Sequence, residues 1–315
     1  MSKRLTSPGA EEVLGLYFPV LDHGFVSLVD YMGNDESIVA AARTSYGAGT
    51  KKHSDDRNLI RYLYRNRHTS PFEMVETKWH VRLPIFVARQ LIRHRTASVN
   101  EYSLRYSLPS FQFYVPPPEN VCKQSKNNKQ GRGEPLAAEH YETAAAIWEN
   151  TNIAAAQLYR ILVSEDIDLA RELARMHLPV SLYTEWYWKI DLHNLFHFLT
   201  LRTHAHAQKE IRDYAHIKAA ILKRCFPIAF EAWVDYAFAS RTFSRLELEM
   251  LLDGFKGSPS WDQEQLQAKY RVTKREVEEF ISKTSTKPQV PSFELDLSLA
   301  KSAEHFQQEV AKSVP

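Results

Sequence analysis

Arg93, His94, Arg95 and Arg105 fall within a span of thirteen positions, interleaved with Ser98, Asn100 and Ser103. Guanidinium forks pair bidentately with phosphate oxygens, and hydroxyls and backbone N–H groups complete such a cradle. Between Arg93 and Ser107 the only acid is Glu101. The chemistry on offer is anion binding. The plainer alternative is a solvated basic loop that closes on acidic neighbours.

A second group lies at 191–206. On an ideal helix, at about 100° per residue, His193, His197 and His204 fall on one face, with Arg202 and His206 nearly opposite. Three imidazoles on a face suit zinc, and His193 and His197 have the i,i+4 spacing. His204, however, lies about 16 Å along the axis from His193 on an unbroken helix, too far for one ion. Arg175, three residues after Glu172, reads locally as half of a surface pair worth a few tenths of a kcal/mol. Ser70, in HTSPFE, reads as an N-cap or turn residue. Cys122 and Cys225 have no neighbours that make either a clear thiolate, Lys123 and Arg224 notwithstanding.

The elements that would position these groups follow from periodicity. VETKWHVRL (75–83) alternates as a half-buried strand does, as does GFVSLVDY (24–31), and SLYTEWYWKI (181–190) has strand character with its aromatic run Trp186–Trp188 assigned mainly to the core. Pro84 suits the first turn of the helix IFVARQLIRHR. Residues 35–47 and 55–67 read as helices, the first stopped by Gly47. An Ala-rich helix at 135–163 and DIDLARELARM, ended by Pro179, follow a polar, breaker-rich loop at 116–135. Residues 191–226 read as one long helix. Strands mixed with helices, without regular β–α alternation, predict an α+β fold.

The chain of 315 residues is long enough for one large domain with an appendage. A net charge of +2 leaves little of the phosphate-driven affinity of a nucleic-acid-binding module, so any basic site must be local. Two cysteines do not make a disulfide framework, MSKRLTSPGAEEVL is not a signal peptide, and no apolar run nears the roughly 20 residues needed to span a bilayer. The expectation is a soluble, cytoplasmic protein without a membrane or nucleic-acid partner, divided into an arm (1–15), a core (16–240) and a polar extension (241–315) of unknown role.

RHR followed by seven residues and Ser103 resembles the signature of flavin-dependent thymidylate synthases. HTSPFE (68–73), PIFVARQ (84–90), LARMHLP (173–179), LYTEWYWKIDLHNLFHFLTLR (182–202) and HAQKEIRDYA (206–215) extend the resemblance over roughly residues 16–240. It implies a thymidylate synthase-complementing-like fold with a mixed, largely antiparallel sheet, flanking helices and a long helical segment. It also implies reductive methylation of dUMP to dTMP, with methylenetetrahydrofolate as carbon donor and NADPH-reduced FAD as hydride source, in a homotetramer with shared sites.

By the same resemblance Ser70, Arg93, His94, Arg95, Glu101, Asp191, Leu192, His193, His197 and His206 surround FAD. Gln90, Arg93, Glu101, Tyr102, Ser103, Leu104, Arg105, Arg175 and Arg202 surround dUMP, with Arg105 on its phosphate. Ser103 is then a binder, and Arg202, expected to favour ionisation of the uracil N3, is the catalytic residue. No metal is implied. Much of the family carries asparagine, arginine and asparagine where Asp191, His193 and His197 stand, so this chain loses a fixed cation there and gains a carboxylate.

Overall fold

The computed structural model describes residues 4–44, 56–126, 131–254, 262–270, 274–285 and 288–313. The expected stop at Gly47 lies outside the described residues. In chain order the elements are α1 (Pro8–Glu11), β1 (Tyr17–Val20), β2 (Gly24–Met32), α2 (Asp35–Arg43), α3 (Asp56–Arg65), α4 (Ser70–Glu73), β3 (Glu76–Pro84), α5 (Ile85–Leu91), β4 (Ser98–Glu101), β5 (Cys122–Gln124) and β6 (Arg132–Pro135). They continue with α6 (Ala138–Leu162), α7 (Arg171–Ala174), β7 (Tyr183–Asp191), α8 (Leu192–Arg202), α9 (Lys209–Cys225), α10 (Pro227–Trp233), α11 (Arg245–Gly254), α12 (Gln263–Tyr270), α13 (Lys274–Ser285) and α14 (Ala303–Ser313). This is an α+β fold.

One five-stranded sheet, ordered β1-β2-β3-β7-β4, is antiparallel at every strand pairing, and β5 with β6 forms a separate hairpin in the loop expected at 116–135. Period-two alternation sorts its two faces. Trp79 pairs with Trp188 and Val81 with Trp186, and these four are buried. The same face of β7 carries Thr184 and Ile190. On the opposite face His80 stacks on half-exposed Tyr187 at 4.7 Å and bonds Glu185 across 3.1 Å, while Lys189 pairs with Glu76. The aromatic run is therefore split, with Tyr187 outside the tryptophan core.

Helix α8 packs on the tryptophan face through Phe198, whose ring lies 5.3 Å from that of Trp188. From α9, Lys218 places its ammonium nitrogen 4.4 Å from the Trp79 ring and 5.2 Å from Trp188. That nitrogen is fully buried and, among the described residues, has no hydrogen-bond partner, and burial pushes its pKa well below the usual lysine value. Desolvation disfavours the charged form of the amine there, against the attraction of the rings.

The segment before β1 is not a loose arm. Ser7, Ala10 and Val13 are buried, Ser7 Oγ donates to the Cys225 carbonyl at 2.6 Å, and a Cβ on Gly9 would meet the Arg224 carbonyl at 2.2 Å. Nor does the chain after 240 stay together. Residues 293–315 belong with Met1–Phe230, and Glu231–Ser292 forms a second unit. Lys301 bridges Tyr17, and Phe306 from α14 packs with Tyr17 and Phe25. The second unit contains α11–α13, with Met250, Val277 and Phe280 buried and Lys283 paired with Glu247. Among the described residues no helix is long and apolar enough to cross a membrane.

Candidate active site

Helix α5 ends at Leu91, and two further turns (Arg93 N–H to the Gln90 carbonyl, His94 N–H to that of Leu91) carry Arg93–Thr96 to one wall of a cavity of about 360 Å³. Asn194, His197, Leu201 and Arg202 of α8 form the other wall, with Ile190 between. Arg202 Nε donates to His94 Nε2 at 3.0 Å. A guanidinium only donates, so Nε2 must be the acceptor and the ring proton sits on Nδ1. Burial, helped by the nearby Arg202 and His197, pushes the His94 pKa down to about 4. Burial also lowers that of Arg202. Among the described residues neither Arg93 nor Arg95 forms an ion pair. The result is a neutral imidazole among uncompensated cations, a donor set that fits an anion such as a diphosphate.

A second cavity, of about 600 Å³, lies between α5, the segment after β4, and the chain around α7. Glu101, Tyr102, Ser103, Leu104 and Arg175 all line it. The strand β4 pairs along β7 (Ser98 with Lys189, Glu101 with Trp186), which fixes where this segment emerges. Glu101 Oε1 accepts from the Thr184 hydroxyl at 2.8 Å, and the Tyr102 hydroxyl donates to the Leu108 carbonyl at 2.8 Å. Ser103 Oγ accepts from the Arg105 N–H at 3.3 Å and, among the described residues, has no general base hydrogen-bonded to it. Arg105 pairs with Glu172 at 3.2 Å, and Arg175 Nε donates to the Glu172 carbonyl rather than its carboxylate. Neither cysteine lines either cavity. Cys225 is buried, and that burial raises its thiol pKa, the opposite of what a nucleophile needs.

The cavities share no lining residue, yet both open on one face of β7. Trp186 lines the second and Ile190 the first. Four residues of strand separate them by about 13 Å. The expected residues thus fall into two sets. Arg93, His94, Arg95, His197 and Arg202 are together, and Glu101 to Leu104 with Arg175 are together. Other expected residues lie outside both walls. Gln90 donates to Gln208, Ser70 is exposed at the start of α4, and His193 is half-buried. Asp191 spends its carboxylate on the N–H and side-chain amide of Asn194, at 2.9 and 2.7 Å. Leu192 is fully buried, and its N–H is bonded to Val75.

Two expectations are corrected here. The long helix at 191–226 breaks at 203–208 into α8 and α9, so His204 and His206 leave the helix and stack on each other at 4.9 Å. Arg202 and His197, both on α8, line the same cavity. With the helix broken the three-histidine face no longer exists, and among the described residues no group of three or more His, Cys, Asp or Glu is placed to hold a metal. The basic loop also contains a strand, β4. Thr184, Trp186 and Glu172 were not expected at the site; the alternation of 184 and 186 along β7 was the available signal.

The family model described as "Thymidylate synthase complementing protein" matches residues 27–228. Proteins named flavin-dependent thymidylate synthase align over most of the chain. That of Ruegeria pomeroyi is 50% identical, covering 79% of this chain and 83% of its own length. That of Wolbachia pipientis is 50% identical, covering 81% and 89%. That of Dictyostelium discoideum is 51% identical, covering 84% and 85%. Among solved structures, a UMP/dUMP methylase, PolB, from Streptomyces cacaoi, bound with 5-Br UMP, superposes with a TM-score of 0.64 at 34% identity, covering 71% of this chain and all of that one. The chain belongs to the flavin-dependent thymidylate synthases of the thymidylate synthase complementing family.

Proposed function

We propose that the two cavities are the two halves of one composite site, the Arg93–Arg202 half for FAD and the Glu101–Leu104 half, with Arg175, for dUMP. The observation that carries this reading is the sorting itself. Residues expected around one nucleotide collect into two separate walls about 13 Å apart along β7. A homotetramer in which each site takes one wall from one subunit and one from another joins Arg202 to Tyr102 and Ser103. The Arg93–Arg202 half would hold FAD, which after reduction by NADPH would supply the hydride, with methylenetetrahydrofolate as carbon donor, for a cytoplasmic synthesis of dTMP.

The chain's own groups have definable tasks. Arg93 and Arg95 supply fixed positive charge, and His94 offers its Nδ1–H while Nε2 is tied to Arg202. Glu101, braced by Thr184, is an acceptor on the dUMP side, as is Ser103 Oγ, whose hydroxyl also donates. Arg105 and Arg175 bind the phosphate. With no thiolate at either cavity, the uracil ring is activated electrostatically. The guanidinium of Arg202 lowers the cost of negative charge developing at N3.

Purified full-length protein tests this directly. A bound flavin spectrum together with rescue of a thymidine auxotroph lacking its own synthase is the expected result. Well-expressed protein that fails to rescue growth overturns the reading.

A further inference from the structure

Helix α5 turns one face, Ile85, Ala88, Arg89 and Ile92, to the cavity of about 600 Å³ that Tyr102, Ser103 and Arg175 also line. That spacing is helical, so the four residues make a single stripe. Ile85, Ala88 and Ile92 are apolar, and Arg89 is the charge that this wall gives the cavity. It is exposed, and among the described residues it makes no ion pair or hydrogen bond. From Ile85 to Thr96 the chain carries no acid to answer it, and Arg93 follows one turn later with the same sign.

The other charges at this cavity are engaged. Glu101 accepts from the Thr184 hydroxyl at 2.8 Å. Glu172 holds Arg105 by its carboxylate at 3.2 Å, and Arg175 Nε donates to the Glu172 carbonyl at 3.3 Å. Arg105 and Arg175 must therefore trade a contact within the protein for one to a ligand, and Arg89 need not. A guanidinium offers donors only, on a fixed charge. Of the parts of a nucleoside monophosphate, the phosphate alone carries full negative charge, so it is the group that answers Arg89.

A plainer role exists. Arg89 stands in the last turn of α5, where any cation gains from the carbonyl end of the helix. That role needs no cavity, and lysine fills it as well as arginine.

We propose that Arg89 is a further substrate-binding residue, the anchor for the dUMP phosphate on the α5 side of the cavity, and that it sets the preference for the phosphorylated nucleotide over the nucleoside. The inference rests on the reading that this cavity holds dUMP.

The test compares flavin-loaded full-length wild type, Arg89→Gln, Arg89→Lys and Arg175→Gln. For each, KM and kcat with dUMP, the inhibition constant of deoxyuridine, and Tm are measured. Arg89→Gln should raise KM for dUMP about tenfold, the loss of one charge-assisted pair. kcat at saturating dUMP should change by less than about threefold, as when binding common to ground and transition states is removed. Deoxyuridine should bind within about twofold of the wild type. Arg89→Lys keeps the charge and loses the fork, so its KM should lie between those of the wild type and Arg89→Gln. Equal weakening of dUMP and deoxyuridine overturns the assignment of Arg89, as does an unchanged KM in Arg89→Gln while Arg175→Gln raises it. If Arg89→Gln lowers Tm and lysine restores both Tm and KM in full, Arg89 is a helix-end charge and the proposal falls. If neither Arg89→Gln nor Arg175→Gln changes KM, the placement of dUMP in this cavity fails instead.

Discussion

In the cavity between Arg93 and Arg202 the cations face an imidazole and, among the described residues, no carboxylate, whereas around Tyr102 and Ser103 Arg105 is already held by Glu172 at 3.2 Å. The first wall is electrostatically open and the second is closed on itself. An open set of guanidiniums repels itself until an anion arrives, so its charge is available at once. A closed pair must exchange a partner, which weakens binding but makes it selective for a ligand that can replace the carboxylate.

The largest effect that would break this comparison is at Arg202. Arg202→Ala should lower turnover of bound dUMP by about 10²–10³-fold, the usual loss when one preorganised electrostatic donor is removed. Flavin occupancy, for which Arg93 and Arg95 are the proposed supports, should fall far less. Single-turnover rates on flavin-loaded protein give the answer, and turnover equal to wild type would remove Arg202 from the chemistry.

Lys218 sharpens the point that a cation without an acid is not thereby a site. It is sealed beneath Trp79 and Trp188, where burial disfavours its charge, so replacing it should improve the fold and spare binding. Its folded pKa is depressed, so the unfolded chain binds a proton that the folded chain does not. Stability therefore rises with pH until the unfolded lysine itself titrates, near 10.4. Lys218→Met should gain about 1–2 kcal/mol at pH 7, a few degrees in Tm, and lose that part of the pH slope. A lower Tm would mean that the amine is paired after all.

Much of this was legible from residue order, and the misses share a cause. Strong alternation made β2, β3 and β7 plain, and the Arg93–Ser107 cluster is the basis of the proposed anion site. β4 was hidden because its residues, Ser98–Glu101, are exposed, so pairing to β7 rather than burial of a face makes it a strand. The break between α8 and α9 was hidden because His204–Gln208 contains no proline or glycine. What accompanies it is tertiary: Gln208 bonds Gln90 and Glu210, and Glu210 bonds Arg132. The division of the site into two walls was not readable at all, since sequence adjacency places Arg93 and Ser103 in one motif while the fold sends them to different cavities.

His94 gives a smaller, pH-dependent test of the open wall. Its folded pKa of about 4 lies below the ordinary value of about 6.5. Between those values the unfolded chain takes up a proton and the folded chain does not, so stability should decline as pH falls from about 6.5 to 4. Above that window the contribution is constant. His94→Gln should flatten the decline by up to one proton in urea-unfolding series. An unaltered slope would mean that His94 is not held neutral by Arg202 and its burial.

The smallest expected effect concerns the closed wall. Glu172 and Arg105 are each about half exposed, so their pair is worth at most about 1 kcal/mol and is screened by salt. Glu172→Gln keeps the carbonyl that Arg175 uses, because that contact is to the backbone. The substitution should free Arg105 and tighten dUMP two- to fivefold at low ionic strength, with the gain shrinking as salt rises. It should also blur selectivity, since phosphate-bearing nucleotides in general would no longer compete with a carboxylate. Isothermal titration with dUMP and inorganic phosphate separates these cases. Tightening of both supports a self-paired wall that opens on binding, whereas weaker dUMP binding would mean that Glu172 positions Arg105 rather than restrains it.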